Sequence, residues 1–270
     1  MSTQSPKHFY TTESWDEEAW LDIVSVEYES LVSAYPFDTV LREISADGQL
    51  KVLDVGCGSA IFPQYLDGTL GDGIHLTCDL LDVSERSLKQ AHGVLTGLEH
   101  FSPGQGISTL IEEIPAAIPR ARPAYNVIWA IHSFTTVDVE QMPFVFRHLL
   151  RLLSEGGRLF IYQLTANSSY QVLHRLYRDR VSTKSPPFME FEDTERILES
   201  LPVEYEVVEL AFDHELPIDQ PDLVEHYLRK CVLDESVDTR RVFGDVLPRF
   251  EQDGLYRLPQ TVNFISVETR

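Results

Sequence analysis

The segment Val52-Leu-Asp-Val-Gly-Cys-Gly-Ser-Ala60 constrains the fold more than any other part of the chain. Lys51–Val55 is a short apolar run that ends at Gly56 and Gly58. Such a run reads as a buried parallel strand feeding a glycine-rich turn and then a helix. Glycine lacks a Cβ, so these positions permit left-handed backbone and let a ligand touch the main chain. The alternation then repeats. Further strands are expected over Ile74–Asp79, Ile107–Glu112, Tyr125–His132 and Arg158–Gln163, with helices over Ile61–Leu66, Ser84–Leu95 and Val139–Leu153. Strands alternating with helices need crossover connections, which predicts a parallel sheet covered on both faces.

The flanks differ from this centre. Before it, residues 15–35 carry Trp20, Ile23, Val24, Tyr28, Leu31 and Val32 at three- and four-residue spacing, an amphipathic helix, followed by a short helix over 37–44. After residue 163, helices are expected over 170–181 and 193–201, a strand over 204–213, polar helices within 221–252, and a closing strand over 260–268. The chain is thus divided into a helical lid segment, 1–45, and one domain, 46–270. Within that domain 48–165 form the ligand-binding core, 166–200 and 221–252 are substrate-side helical segments, and 204–213 and 260–268 are closing strands.

A formal charge of −21 repels phosphate backbones and anionic membranes, so neither nucleic acid nor membrane is expected as a partner, whereas a cationic small molecule would be attracted. No run of about 18 apolar residues is present, and the first residues lack a signal-peptide core. The three cysteines, Cys57, Cys78 and Cys231, show no metal-ligand spacing and leave one unpaired, which suits a reducing cytoplasm and predicts no metal.

Open parallel sheets bind ligands beyond the carboxyl ends of their strands. Asp54, Gly56, Cys57 and Gly58 are expected there. A carboxylate at the end of the second strand can accept hydrogen bonds from two ribose hydroxyls, and both Asp79 and Asp82 are candidates. Asp82 stands in Asp-Val-Ser-Glu-Arg-Ser-Leu, where Ser84 reads as a helix N-cap with Ser87 behind it. The dinucleotide fingerprint fails because Ile61 replaces its last glycine, and no Gly-Lys-Ser/Thr phosphate loop exists.

Asp54-x-Gly-x-Gly, Asp82-Val-Ser and Leu153-Ser-Glu-Gly-Gly-Arg-Leu-Phe-Ile161 together resemble the motifs of class I S-adenosylmethionine-dependent methyltransferases over residues 48–165. Two positions depart from that pattern: Ala60 stands where a third glycine is common, and Asn126 replaces an aspartate. The resemblance implies an α/β, Rossmann-like, seven-stranded, mostly parallel sheet with an antiparallel last strand. It also implies S-adenosylmethionine as cofactor, held by Asp54, Gly56, Cys57 and Gly58 in the loop, by Asp82, Val83 and Ser87, by Glu112 and Glu113 at the adenine, and by Ile131 beneath the methyl group. The end of the chain is similar to small-amine methyltransferases of the histamine N-methyltransferase type. That likeness implies substrate contacts from His132 and Gln260, with Glu27 on the apolar stripe of the leader helix as the acidic ligand. His132 is the candidate catalytic base, histidine being the side chain most often used for proton transfer. Tyr10, Trp15, Trp20 and Tyr28, with Asp16, Glu17 and Glu18 nearby, are expected to wall an amine site. The expected activity is methyl transfer to a small acceptor, with an amine nitrogen first, an oxygen acceptor on the same fold second, and a non-catalytic cofactor-binding protein third.

Overall fold

A computed structural model describes residues 17–119, 124–181 and 185–269, excepting the side chains of residues 17–20, 22 and 269. Tyr10, Trp15 and Asp16, and the side chains of Glu17, Glu18 and Trp20, therefore lie outside what is described. Helix α1 (Glu17–Ala34) buries Ile23, Val24, Glu27, Tyr28 and Leu31 along one stripe, and α2 (Phe37–Ile44) buries Phe37, Val40 and Leu41.

The core alternates as expected: β1 (Gln49–Val55), α3 (Ile61–Asp67), β2 (His75–Asp82), α4 (Glu85–Thr96), β3 (Phe101–Ser108), α5 (Ile114–Ala117), β4 (Tyr125–Ile131), α6 (Met142–Leu152) and β5 (Leu153–Leu164). The remainder comprises α7 (Ser169–Arg180), α8 (Phe191–Glu199), β6 (Val203–Pro217), α9 (Pro221–Val232), α10 (Thr239–Phe243), β7 (Glu251–Gln252) and β8 (Leu255–Thr269). The sheet order is β3-β2-β1-β4-β5-β8-β6, with the two-residue β7 pairing β8 to make eight strands. Strands β1 to β5 run parallel, and β8 runs antiparallel to both β5 and β6. The switch point lies between β1 and β4, where crossovers leave in opposite directions and a ligand crevice is expected. One core packs on α1–α4 through Trp129, Phe160 and Phe264; the other packs on α6 and α8 through Ile128, Ile161 and Ile265. Among the described residues no helix is long and apolar enough to cross a membrane.

Several boundaries differ from the sequence reading, each for a local reason. The third strand, expected over 107–112, spans Phe101–Ser108. Pro103, Gly104 and Gly106 hide it, because they are poor strand formers tolerated at a sheet edge. A Cβ at Gly104 would meet Asp79 Oδ1 at 2.3 Å, and the pairing of β2 with β3 shifts register between Cys78 and Leu80. Asp79 fills that irregularity. It accepts from Gln105 N (2.8 Å) and Tyr125 Oη (2.9 Å) and pairs with Lys51 Nζ (3.1 Å). The two closing strands are longer than the expected 204–213 and 260–268. They pair from Val203–Thr269 to Pro217–Leu255, and this register delivers His214 to the sheet end nearest the switch point. Asn126 is structural, since its Oδ1 accepts from Lys51 N at 2.8 Å.

Candidate active site

The loop after β1 is held to the end of β2. Gly56 N and Cys57 N both donate to Leu81 O (2.8 and 3.0 Å), and Gly58 N donates to Asp82 Oδ2 (3.0 Å). Asp82 Oδ1 accepts from Ser84 N (2.8 Å), and Ser84 Oγ caps α4 by accepting from Ser87 N (3.2 Å). Gly56 has φ +70°, and a Cβ there would come within 2.4 Å of Ser133 Cβ. Gly56→Ala is therefore expected to force apart the ends of β1 and β4 and to cost about 1–3 kcal/mol of stability, read as a lowered urea midpoint. Ala60 takes the left-handed conformation (φ 61°) that the absent third glycine would adopt.

A cavity of about 220 Å³ opens over these strand ends. Its walls bring together Asp54, Gly56, Cys57, Gly58, Asp82, Val83, Ser87, Glu112, Ile131 and His132. Glu113 is not among them. The turn Ile111–Glu113 presents Glu112 to the cavity and leaves Glu113 exposed, which removes Glu113 from the candidate contacts. Asp79, consumed by β3, does not reach the cavity, so Asp82 is the carboxylate at the second strand's end that does. Burial pushes the Cys57 thiol well above its ordinary range, with the charges of Asp54 and Asp82 adding to the effect.

Asp54 is 4% exposed. Burial raises its carboxyl from 3.8 to about 7, opposed by the Trp129 indole and reinforced by the charge of Asp82. A raised folded-state value contributes stability below the unfolded value, and that contribution is lost as pH rises through about 7. The unliganded protein is thus expected to lose stability from this group between pH 4 and 7, and Asp54→Asn to flatten that slope in thermal melts. A cationic ligand beside Asp54 would restore the loss.

At the end of β4, His132 adopts φ +59°, a conformation uncommon outside glycine that turns its ring out of the strand. Its ring packs edge-on against Tyr162 (centroids 4.5 Å) and Tyr28 (5.7 Å). His132 Nε2 lies 2.5 Å from Glu27 Oε2, and His214 Nε2 lies 2.6 Å from Glu27 Oε1. Glu27 is only 3% exposed. Burial alone would raise its carboxyl, but the charge and hydrogen bonding of the two imidazoles override it and hold the group at about 2. The sequence placed Glu27 as a ligand on the leader stripe; the structure brings it to His132 and buries it between two histidines. A second chamber of about 70 Å³ lies on this side, lined by Glu27, Thr135, Tyr170 and His214. It shares Tyr28, His132 and Lys230 with the larger cavity.

His214 and Lys230 were not picked out from the sequence. Lys230 carried a usable signal: it sits on the apolar stripe of α9 with Val224, Tyr227, Leu228 and Cys231, as Glu27 does on α1. His214 lies one residue beyond the expected strand.

Gln260, expected to touch substrate, lines neither chamber. It is fully buried; its Oε1 accepts from Ser168 Oγ and Tyr170 N (3.3 Å), and its Nε2 donates to Tyr227 Oη (3.3 Å) and Leu258 O (3.1 Å). The register of β8 points this side chain into the network beneath the site. Gln260→Leu is expected to lower stability by about 1–3 kcal/mol through the stranded donors and acceptors, with affinity for a ligand in the larger cavity unchanged. Melting and calorimetry on the same variant check both parts. Among the described residues no cluster of three or more His, Cys, Asp or Glu is arranged to hold a metal ion.

Comparison with known proteins gives a consistent fold. A family model described as a methyltransferase domain matches residues 28–201. Malonyl-[acyl-carrier protein] O-methyltransferase 1 of Ilyobacter polytropus is 28% identical over 138 residues, a match covering 51% of this chain and 45% of that protein. This chain thus spans less than half the length of that relative. The plantazolicin methyltransferase BpumL, solved with S-adenosylhomocysteine, superposes with TM-score 0.52 at 14% identity, covering 98% of this chain and 95% of that one. The N-methyltransferase NodS of Bradyrhizobium japonicum, also bound to S-adenosylhomocysteine, superposes with TM-score 0.50 at 17% identity, covering 76% and 90%. These relatives include both O- and N-methyltransferases.

Proposed function

The chain belongs to the methyltransferase-domain family, and from that premise we propose that it transfers a methyl group from S-adenosylmethionine to a small-molecule acceptor activated at His132. The observation that carries this reading is the convergence of two carboxylates and a Cβ-intolerant glycine on one cavity at the carboxyl ends of β1, β2 and β4. The cavity suits the cofactor. Asp54 is a buried carboxylate that forms no ion pair among the described residues, and the cofactor is cationic. Gly56 leaves a cradle a side chain would fill.

In this reading Asp82 accepts the ribose hydroxyls, Glu112 borders the adenine, and Asp54 faces the cationic amino-acid end. Ile131, Val137 and Tyr28 line the wall nearest the reacting centre and exclude water. When bound, S-adenosylmethionine supplies an electrophilic methyl on positively charged sulfur, so alignment accounts for most of the acceleration. His132 receives the acceptor's proton. Its Nε2–H points at Glu27, an assignment made from that contact, which leaves Nδ1 as the basic nitrogen. Glu27 orients the ring and stabilises the imidazolium that forms, as carboxylates do beside catalytic histidines.

The second chamber, which shares Tyr28, His132 and Lys230 with the first, offers room for an acceptor on the His132 side. This favours an enzyme over a binding protein with a sealed pocket. Calorimetric titration with S-adenosylmethionine and S-adenosylhomocysteine tests the reading. One-to-one binding of both is expected, and absence of binding to either contradicts it.

A further inference from the structure

We propose that His214 is a positioning residue for the base: acting through Glu27, it fixes the carboxylate against His132 and divides the carboxylate's charge between two imidazoles. This role rests on the methyl-transfer reading, in which His132 takes the acceptor's proton.

A buried glutamate tied by one oxygen can still turn about its side-chain torsions. Glu27 is tied by both. His132 Nε2 lies 2.5 Å from Oε2, and His214 Nε2 lies 2.6 Å from Oε1. His132 follows β4, whereas His214 sits within β6 opposite Leu258 of β8, so the two rings reach Glu27 from separate strands. Glu27 is 3% and His214 1% exposed, which leaves water no route to take over the second oxygen. On its other side His214 Nδ1 lies 2.8 Å from Tyr227 Oη, a hydroxyl that Gln260 and Cys231 also engage.

The hydrogen on His214 Nε2 follows from Glu27 alone. The two imidazoles hold that carboxyl at about 2 against burial, so it is ionised and has no proton to give. Two lone pairs 2.6 Å apart would repel, and Nε2 must therefore carry hydrogen. If Nδ1 accepts from Tyr227 the ring is neutral; if Nδ1 donates the ring is an imidazolium. Nε2 faces Glu27 as the donor in both cases.

Sharing has a chemical consequence. A buried carboxylate facing His132 alone would favour its imidazolium strongly and make the ring slow to release its proton. A second N–H on the other oxygen draws part of that charge away. Loss of the His214 donor should therefore raise the pH at which His132 titrates, whichever charge state His214 holds. The titratable neighbours are Tyr28 on α1, Tyr162 on β5, Tyr170 on α7, and Tyr227, Lys230 and Cys231 on α9. Burial pushes the Tyr162 and Tyr227 hydroxyls and the Cys231 thiol well above their ordinary ranges, so none of these three ionises near neutral pH. Asp54, Asp82 and Glu112 line the larger cavity with His132. All these groups are the same in each variant below except where Glu27 itself is replaced, so differences between variants report the Glu27 contacts.

The test follows the ring signals of carbon-labelled histidine by NMR against pH, with no ligand present. His214→Asn removes the donor to Glu27, and His214→Gln keeps an amide donor near the place of Nε2. The asparagine variant is expected to raise the His132 midpoint by about one pH unit, about tenfold in proton affinity, and the glutamine variant by less than half as much. Glu27→Gln, which withdraws the charge itself, should lower the midpoint. A histidine that only ties β6 to α9 would lower the melting temperature and leave the midpoint where it was. Long-range proton–nitrogen spectra of the unaltered protein do not depend on any variant folding, and are expected to show His214 Nε2 protonated throughout. A midpoint unmoved or lowered in His214→Asn, an equal response in His214→Gln, or an unprotonated His214 Nε2 overturns the proposal. Calorimetry with S-adenosylhomocysteine on the same sample judges the methyl-transfer reading separately, since its failure to bind would leave the His132 midpoints as they are.

Discussion

Asp82→Ala is expected to lower affinity for S-adenosylhomocysteine by about a hundredfold or more. Two charge-assisted hydrogen bonds to the ribose are each worth about 1.5–3 kcal/mol, and every 1.4 kcal/mol is about tenfold. The substitution also frees Gly58 N and Ser84 N, which Asp82 now holds at 3.0 and 2.8 Å, so the loop loses its anchor to β2 along with its ligand. Asp79→Asn is the matched control. Its carboxylate serves Gln105, Tyr125 and Lys51 on the far side of the strand. It should lower the melting temperature and leave the affinity intact. Calorimetry on the two variants separates the assignments, because a role for Asp79 at the ribose would reverse the order.

The second large effect lies at His132. His132→Ala is expected to reduce kcat by about 10² to 10⁴, the usual contribution of a positioned general base, with little change in S-adenosylmethionine binding. Glu27→Gln acts through the ring. It keeps the shape but withdraws the charge that faces His132 and His214 at 2.5 and 2.6 Å. Removing one partner of a buried pair costs about 3–5 kcal/mol, so the variant should melt earlier. A purely structural carboxylate would leave the kinetics of the folded fraction untouched. A positioning role predicts lower kcat with an unchanged KM for S-adenosylmethionine. The pH dependence has a defined sign. The carboxyl of Glu27 is held at about 2 against an ordinary 4.5, so its stabilisation is complete above pH 4.5 and is lost as pH falls through about 2. Asp54 acts oppositely, its contribution fading as pH rises through about 7.

That the loop after β1 and Asp82 line one cavity was legible because the signals are local: Asp54-x-Gly-x-Gly closes a parallel strand, and Asp82 stands directly before a helix cap. The third strand was not legible, since Pro103, Gly104 and Gly106 describe a loop by propensity. They form an edge strand only because Gly104 lets Asp79 approach closely. Glu113 was indistinguishable from Glu112 until the turn fixed which of them faces inward. The smaller chamber is assembled largely from α1, β4, β6 and α9, elements separated by up to two hundred residues. Glu27 was visible as a charge on an apolar stripe. That it meets His214 depends on the full length of the β6–β8 ribbon, which no local pattern encodes. Gln260 illustrates the converse: a motif position that looked substrate-facing is turned by strand register into the support beneath the site.

On this proposal the cavity over β1, β2 and β4 presents a methyl donor to His132 and the chamber behind it. A crystal structure of the protein with S-adenosylhomocysteine tests it directly. Ribose hydroxyls on Asp82, the amino-acid end beside Asp54 and Gly56, and the sulfur turned towards Ile131, His132 and the small chamber are expected. A complex in which the sulfur faces away from His132, or in which the ligand binds elsewhere, would contradict it.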